Sequence, residues 1–179
     1  MYDIDEAKEL LANELGLDLD EVSPSSENEH IFGVPGQVWW VGTYYDAEAY
    51  ALQYIKDLQD DMGLDSYNET YQEFIIDNYV KDDFFDDDYE QMEWRLEDEG
   101  DEEGLDYLHS LEDDKAAYFR EYLGDDEFKR LISQHDTDAI RWDDVAQHQL
   151  KEEGIDPNVG SYDGNTTELP NGYVCWRIN

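Results

Sequence analysis

Apolar positions follow a helical period over most of this chain and alternate only towards its two ends. Residues 5–15, DEAKELLANEL, place Ala7, Leu10, Leu11 and Leu15 on one face, with Gly16 as a stop. After a polar loop, HIFGV and QVWWV flank Pro35-Gly36 and predict a β-hairpin. Thr43 can cap a helix over 45–62 that carries Tyr50, Ala51, Tyr54, Ile55 and Leu58 on one face and ends at Gly63.

Between residues 69 and 154 the helical spacing continues. Tyr71, Phe74, Ile75 and Tyr79 mark one helix, and a second runs to Glu99 before Gly100. Leu105, Leu108 and Leu111 mark a short one, Ala117, Tyr118, Tyr122 and Leu123 another, and Phe128, Leu131 and Ile132 continue the pattern. Asp136 or Asp138 can cap a last helix through Ile140, Val145, Gln149 and Leu150, stopped by Gly154. The closing segment, VGSYDGNTTELPNGYVCWRIN, mixes turn formers with β-branched and aromatic runs and reads as a second hairpin. These elements predict one α+β domain over residues 1–179. The ends, 1–44 and 156–179, would form a small antiparallel sheet, and 45–155 a largely helical acidic insertion.

Charge changes this picture most. The chain holds 49 acidic and 11 basic residues, a net charge of -38. Residues 45–155 carry 36 acids and 9 bases, whereas 156–179 carry 3 and 1. An aromatic content of 14% argues against a disordered acidic tail, so the sequence expects repulsion to be carried by a folded body. So few bases cannot neutralise phosphates, which argues against direct binding to nucleic acid or to an anionic membrane. The expected partner is a basic host protein or nucleoprotein complex.

The acid is densest at 81–104, KDDFFDDDYEQMEWRLEDEGDEEG. In a helix, Phe85, Tyr89, Met92 and Leu96 form a seam at steps of four, three and four, and Asp86, Glu90, Glu93 and Glu97 a ridge beside it. Asp82, Asp83, Asp87 and Asp88 add charge near the helix start, and Asp98, Glu99, Asp101, Glu102 and Glu103 near its end. These thirteen carboxylates are the candidate partner-binding residues. Laid out as a helix, the stretch has one net charge per about 3.3 Å, against about 3.4 Å for one strand of B-DNA.

Other chemistry is sparse. His30, His109, His135 and His148 have no metal-ligand spacing, and His135 beside Asp136 and Asp138 reads as a surface residue near a helix cap. LEDEGDEEG lacks the alternating ligands and final glutamate of an EF-hand loop. No nucleophile elbow or phosphate-cradling loop is present, and 49 acids make any chosen catalytic pair uninformative. Cys175, the single cysteine, reads as a buried strand residue. The sequence therefore predicts no catalytic residue, no metal and no cofactor. With no secretory signal and no apolar run near the roughly 18 residues of a membrane span, it predicts a chain of the host cytoplasm.

LGLDLDEV, VWWVGTYYDAEAYALQYIKD and SYDG with NGYVCWRIN together resemble a group of small phage-encoded acidic proteins. In that group a strand runs into a helix of the form EEAD-x-A-x-x-YI, and the chain ends in a Tyr-Arg-x-Asn-like strand. This chain departs at Trp176, where the group has Tyr, and residues 65–155 fall outside the resemblance. It implies a phage or prophage origin and brings no functional residues with it. In charge and size the chain also resembles DNA-mimic antirestriction and anti-CRISPR proteins. The expected function is that of such an inhibitor, occluding a basic DNA-binding surface of a restriction or CRISPR complex. The alternative is a halophilic or structural phage protein whose acidity only maintains solubility, and an enzyme is the third possibility.

Overall fold

A computed structural model describes residues 2–124, 126, 139–160 and 164–179. Phe128, Leu131, Ile132, His135 and the expected caps Asp136 and Asp138 lie outside the described residues, as do residues 161–163. The fold is α+β, with one five-stranded antiparallel sheet drawn from both ends of the chain and helices between. It gathers into two compact units, one made of the residues up to Ile55 with Gln147–Asn179, the other of Lys56–Ala146.

The first unit opens with α1 (Ile4–Leu15), whose cap Asp3 accepts from the amides of Asp5 and Glu6. Gly16 ends it in the left-handed conformation, φ 66°, as its place in the sequence predicts. Strands β1 (Ser23–Pro24), β2 (Ile31–Val34) and β3 (Gln37–Thr43) follow, then β4 (Thr166–Glu168) and β5 (Tyr173–Arg177) from the far end. The order is β1-β2-β3-β5-β4, so the two hairpins meet along β3 and β5. β1 was not foreseen; it lies in the stretch read as a polar loop and pairs only Ser23 and Pro24 with β2.

Alternation along the central strands sorts the two faces of the sheet. Val41 and its partner Cys175 join Ala7, Leu11 and Ala12 of α1 in one core. Trp40 and its partner Trp176 turn the other way, edge to face at 5.4 Å, and meet Tyr50 and Tyr44 of α2 (Tyr44–Met62). Thr43 and Asp46 close the start of α2 reciprocally: the Thr43 hydroxyl accepts from the Asp46 amide, and the Asp46 carboxylate accepts from the Thr43 amide and hydroxyl. The buried stripe of α2 is Ala47, Ala51, Ile55 and Gln59, rotated from the expected one; Tyr54 and Leu58 face solvent. Burial pushes the Cys175 thiol up to about 12, which leaves it inert as a nucleophile.

The second unit is helical. It contains α3 (Glu69–Tyr79), α4 (Asp82–Glu99), α5 (Glu102–Ser110) and α6 (Lys115–Leu123). The last helix of the insertion, α7 (Trp142–Glu153), crosses back into the first unit, and α8 (Asp156–Val159) follows it there. Ile140 is not helical as expected. It bridges Val80 in an antiparallel pair, with Lys81 N donating to Ala139 O at 2.8 Å and Arg141 N to Tyr79 O at 2.9 Å. Phe85, Tyr118 and Phe119 form the aromatic centre, packed edge to face at 5.2–5.9 Å.

Gly42 offers a test of the tryptophan face. A β-carbon there would lie 2.4 Å from the Trp40 ring and 3.0 Å from Nδ1 of His30, and the two rings are stacked and cannot both withdraw. Gly42→Ala is expected to cost about 1–3 kcal/mol, as overpacking does. Chemical denaturation measures it, and an unchanged midpoint would contradict this packing.

Candidate partner-binding surface

α4 forms because its apolar residues keep helical steps and nothing in its 18 residues breaks the run. Phe85 and Leu96 are buried and Tyr89 and Met92 partly so, which is the seam read from the sequence. Gly100, φ 69°, ends the helix, its amide donating to Glu97 O while Asp101 N donates to Leu96 O. Asp101 then accepts from Gly104 N at 2.9 Å and starts α5, with Glu102 and Glu103 in its first turn. The whole candidate stretch is thus helix, turn and helix.

The structure divides the thirteen carboxylates. Asp82 pairs with Lys115 at 2.9 Å, and this hydrogen bond holds its carboxyl below the usual range. Asp83 accepts from Phe84 N. Asp88 accepts from the buried Tyr118 hydroxyl at 2.8 Å; burial first, then this carboxylate, pushes that phenol well above its ordinary value. Glu93 lies 2.8 Å from Nε2 of His109. Asp101 is a cap. The carboxylates of Asp86, Asp87, Glu90, Glu97, Asp98, Glu99, Glu102 and Glu103 have no hydrogen-bond or ion-pair partner among the described residues. Five acids therefore hold local structure, and eight face outwards.

Asp86, Glu90 and Glu93 also line an open groove of about 550 Å³ with Tyr89, His109 and Glu112. Glu112 and His109 were not among the sequence candidates. Their part depends on α5 packing back along α4, a long-range placement that no local spacing announces. Trp94 was legible as an aromatic but not placed. Nine residues from Phe85, it falls about half a turn from the seam and is 68% exposed.

Charge density survives folding. α4 carries ten acids and one arginine, and 18 residues span about 27 Å. Counting Lys115 or Lys81 against it leaves one net charge per about 3–4 Å, comparable with a B-DNA strand. The second unit as a whole has 32 acids and 8 bases, the first 17 and 3. Among the described residues no group of three or more His, Cys, Asp or Glu is arranged to hold a metal ion. No helix among them is long and apolar enough to cross a membrane. Comparison with protein families, curated proteins and solved structures finds no match to this chain.

The division predicts different consequences for neighbouring acids. Asp88→Ala is expected to cost about 1–2 kcal/mol, because the buried Tyr118 hydroxyl loses its acceptor. Glu90→Ala is expected to stay within about 0.5 kcal/mol of wild type. Urea unfolding of both variants checks this; equal costs would remove the distinction.

Asp77, at the end of α3, gives a pH test. Lost hydration, then the charges of Asp114 and Glu73, raise its pKa although the Ala116 amide donates to it at 3.0 Å and the residue still reaches solvent. The folded pKa lies above the unfolded one, so stability from this group is present at low pH and lost as pH rises through the carboxylate range. Asp77→Asn keeps an acceptor for Ala116. It is expected to raise the melting temperature at pH 7 and to give no gain at pH 3, below the ordinary carboxylate range. Melts at the two pH values decide it; equal gains at both would refute the assignment.

Proposed function

We propose that this chain is a phage-type DNA mimic that inhibits a host nucleic-acid-binding defence complex, of restriction or CRISPR type, by covering its basic DNA-binding surface in the host cytoplasm. The observation that carries this reading is the set of eight outward carboxylates on helices whose other side is fixed in an aromatic core. A basic groove gains affinity for DNA by exchanging condensed counterions for phosphates, and fixed carboxylates can take the place of those phosphates. Ordered placement matters, because a loose acidic segment must lose conformational freedom on binding. Asp82, Asp88 and Asp101, being engaged in the fold, contribute to this surface chiefly by holding it in shape.

A second reading rests on one observation. The first unit is also acidic, with 17 acids against 3 bases, which suits a halophilic or structural phage protein that uses charge only for solubility. A thermal melt in dilute buffer separates the two, since a chain adapted to salt unfolds there.

The ridge is expected to act as a set. Asp86→Asn, Glu90→Gln, Glu93→Gln and Glu97→Gln alone should each weaken binding slightly, as screened surface charges do. All four together should weaken it greatly and flatten its salt dependence, with the helix retained. The measurement is affinity for a purified restriction or CRISPR complex, and displacement of its DNA, across a salt series. Undiminished binding by the quadruple variant, or inhibitor and DNA bound together, would sink the proposal. One amide abolishing an activity while binding persists would point to an enzyme.

A further inference from the structure

Trp94 is the one large apolar residue of α4 that the core leaves out. Phe84, Phe85, Tyr89, Met92 and Leu96 belong to or pack against the second unit's core, and Trp94 does not. Among the described residues its indole meets no other ring, and its N–H donates to no protein group. The residues three and four positions away on the helix surface are Glu90, Gln91, Glu97 and Asp98. Three of these four neighbours are carboxylates, and none of the three has a partner among the described residues.

An indole face attracts cations, and a flat guanidinium can stack on it while its edge donates to flanking carboxylates. Lysine lacks both the plane and the fork. We infer that Trp94 is the anchor of the acidic surface, taking the guanidinium of an arginine from the basic partner between Glu90, Glu97 and Asp98. The occupant follows from charge complementarity, in a unit with 32 acids and 8 bases, and from the exposed ring among the outward carboxylates of α4. Tryptophan and arginine are also the side chains enriched where interfaces concentrate their affinity. The inference rests on the reading that the ridge binds a basic partner, and adds to it a residue that phosphate mimicry alone does not require.

Oligoarginine and oligolysine peptides of equal length serve as probes. Each is titrated against the full chain by calorimetry and tryptophan fluorescence, in wild type, Trp94→Ala, Trp94→Phe and the quadruple amide variant. Wild type is expected to bind oligoarginine several-fold more tightly than oligolysine. Trp94→Ala should abolish most of that preference, lowering oligolysine affinity far less than oligoarginine affinity and leaving the salt slope unchanged, and Trp94→Phe should restore part of it. A preference that survives Trp94→Ala, or no preference in wild type, overturns the inference. The quadruple variant reports separately on the ridge: if it binds both peptides as tightly as wild type, the ridge reading fails, whatever Trp94 does. Circular dichroism melts confirm that each variant stays folded, as substitution at an exposed position allows.

Discussion

The edge-on packing of Phe85 against Tyr118 and Phe119 ties α4 to α6, and the shape of the acidic surface depends on it. Without its core contacts, of which this one is central, α4 would be a helix of ten acids and one arginine with little reason to persist. Like charges one helical turn apart cost about 0.2–0.5 kcal/mol each. Burying one large apolar side chain returns about 1.5–3 kcal/mol. A few buried rings therefore outweigh many such repulsions, which explains how so charged a unit keeps an aromatic centre. Tyr118 extends the connection from packing to polarity, since its buried hydroxyl donates to Asp88 on α4 itself.

Charge at the two ends of α4 is placed unequally. Asp82 and Asp83 sit in its first turn, where the helix dipole favours them. Glu97, Asp98 and Glu99 sit in its last turn, where the dipole favours cations and no base is present. Gly100 and Asp101 then start α5 at once, so Glu102 and Glu103 occupy a favourable helix start. The sequence thus accepts one unfavourable helix end and sets the next acids at a favourable one. The outcome is a nearly unbroken row of carboxylates across the joint.

Much of this was legible in the residues. The limits of α1 and α4 followed from apolar steps and from Gly16 and Gly100, because both signals act within a few residues. The two hairpins followed from their turns, and their meeting along β3 and β5 from the weakness of either alone. What failed was decided at long range. Ile140 fits the spacing of a helix through Val145, but pairing with Val80 offers its neighbours' backbone better partners. On α2, spacing set Tyr54 and Leu58 on one face with Tyr50, Ala51 and Ile55. Ala51 and Ile55 are buried as expected, but with Ala47 and Gln59 beside them, while Tyr54 and Leu58 face solvent. Within the candidate surface the seam and ridge were readable, whereas the engagement of Asp88 by Tyr118, and of Glu93 by His109, required the fold.

Solubility alone places few demands on where acids stand. It is served as well by Lys-paired or loop-borne carboxylates as by a row on one helix. Two features go beyond that demand: acids kept at the unfavourable end of α4, and a tryptophan held in water among them when the same helix buries its five other large apolar residues wholly or in part. Each carries a local cost with no return within the described fold. Under the proposed reading both costs are offset on binding. A basic surface meets the dipole-opposed carboxylates and removes their repulsion, and an arginine covers the indole. The same two features that weaken the free chain then become the places where a partner gains most.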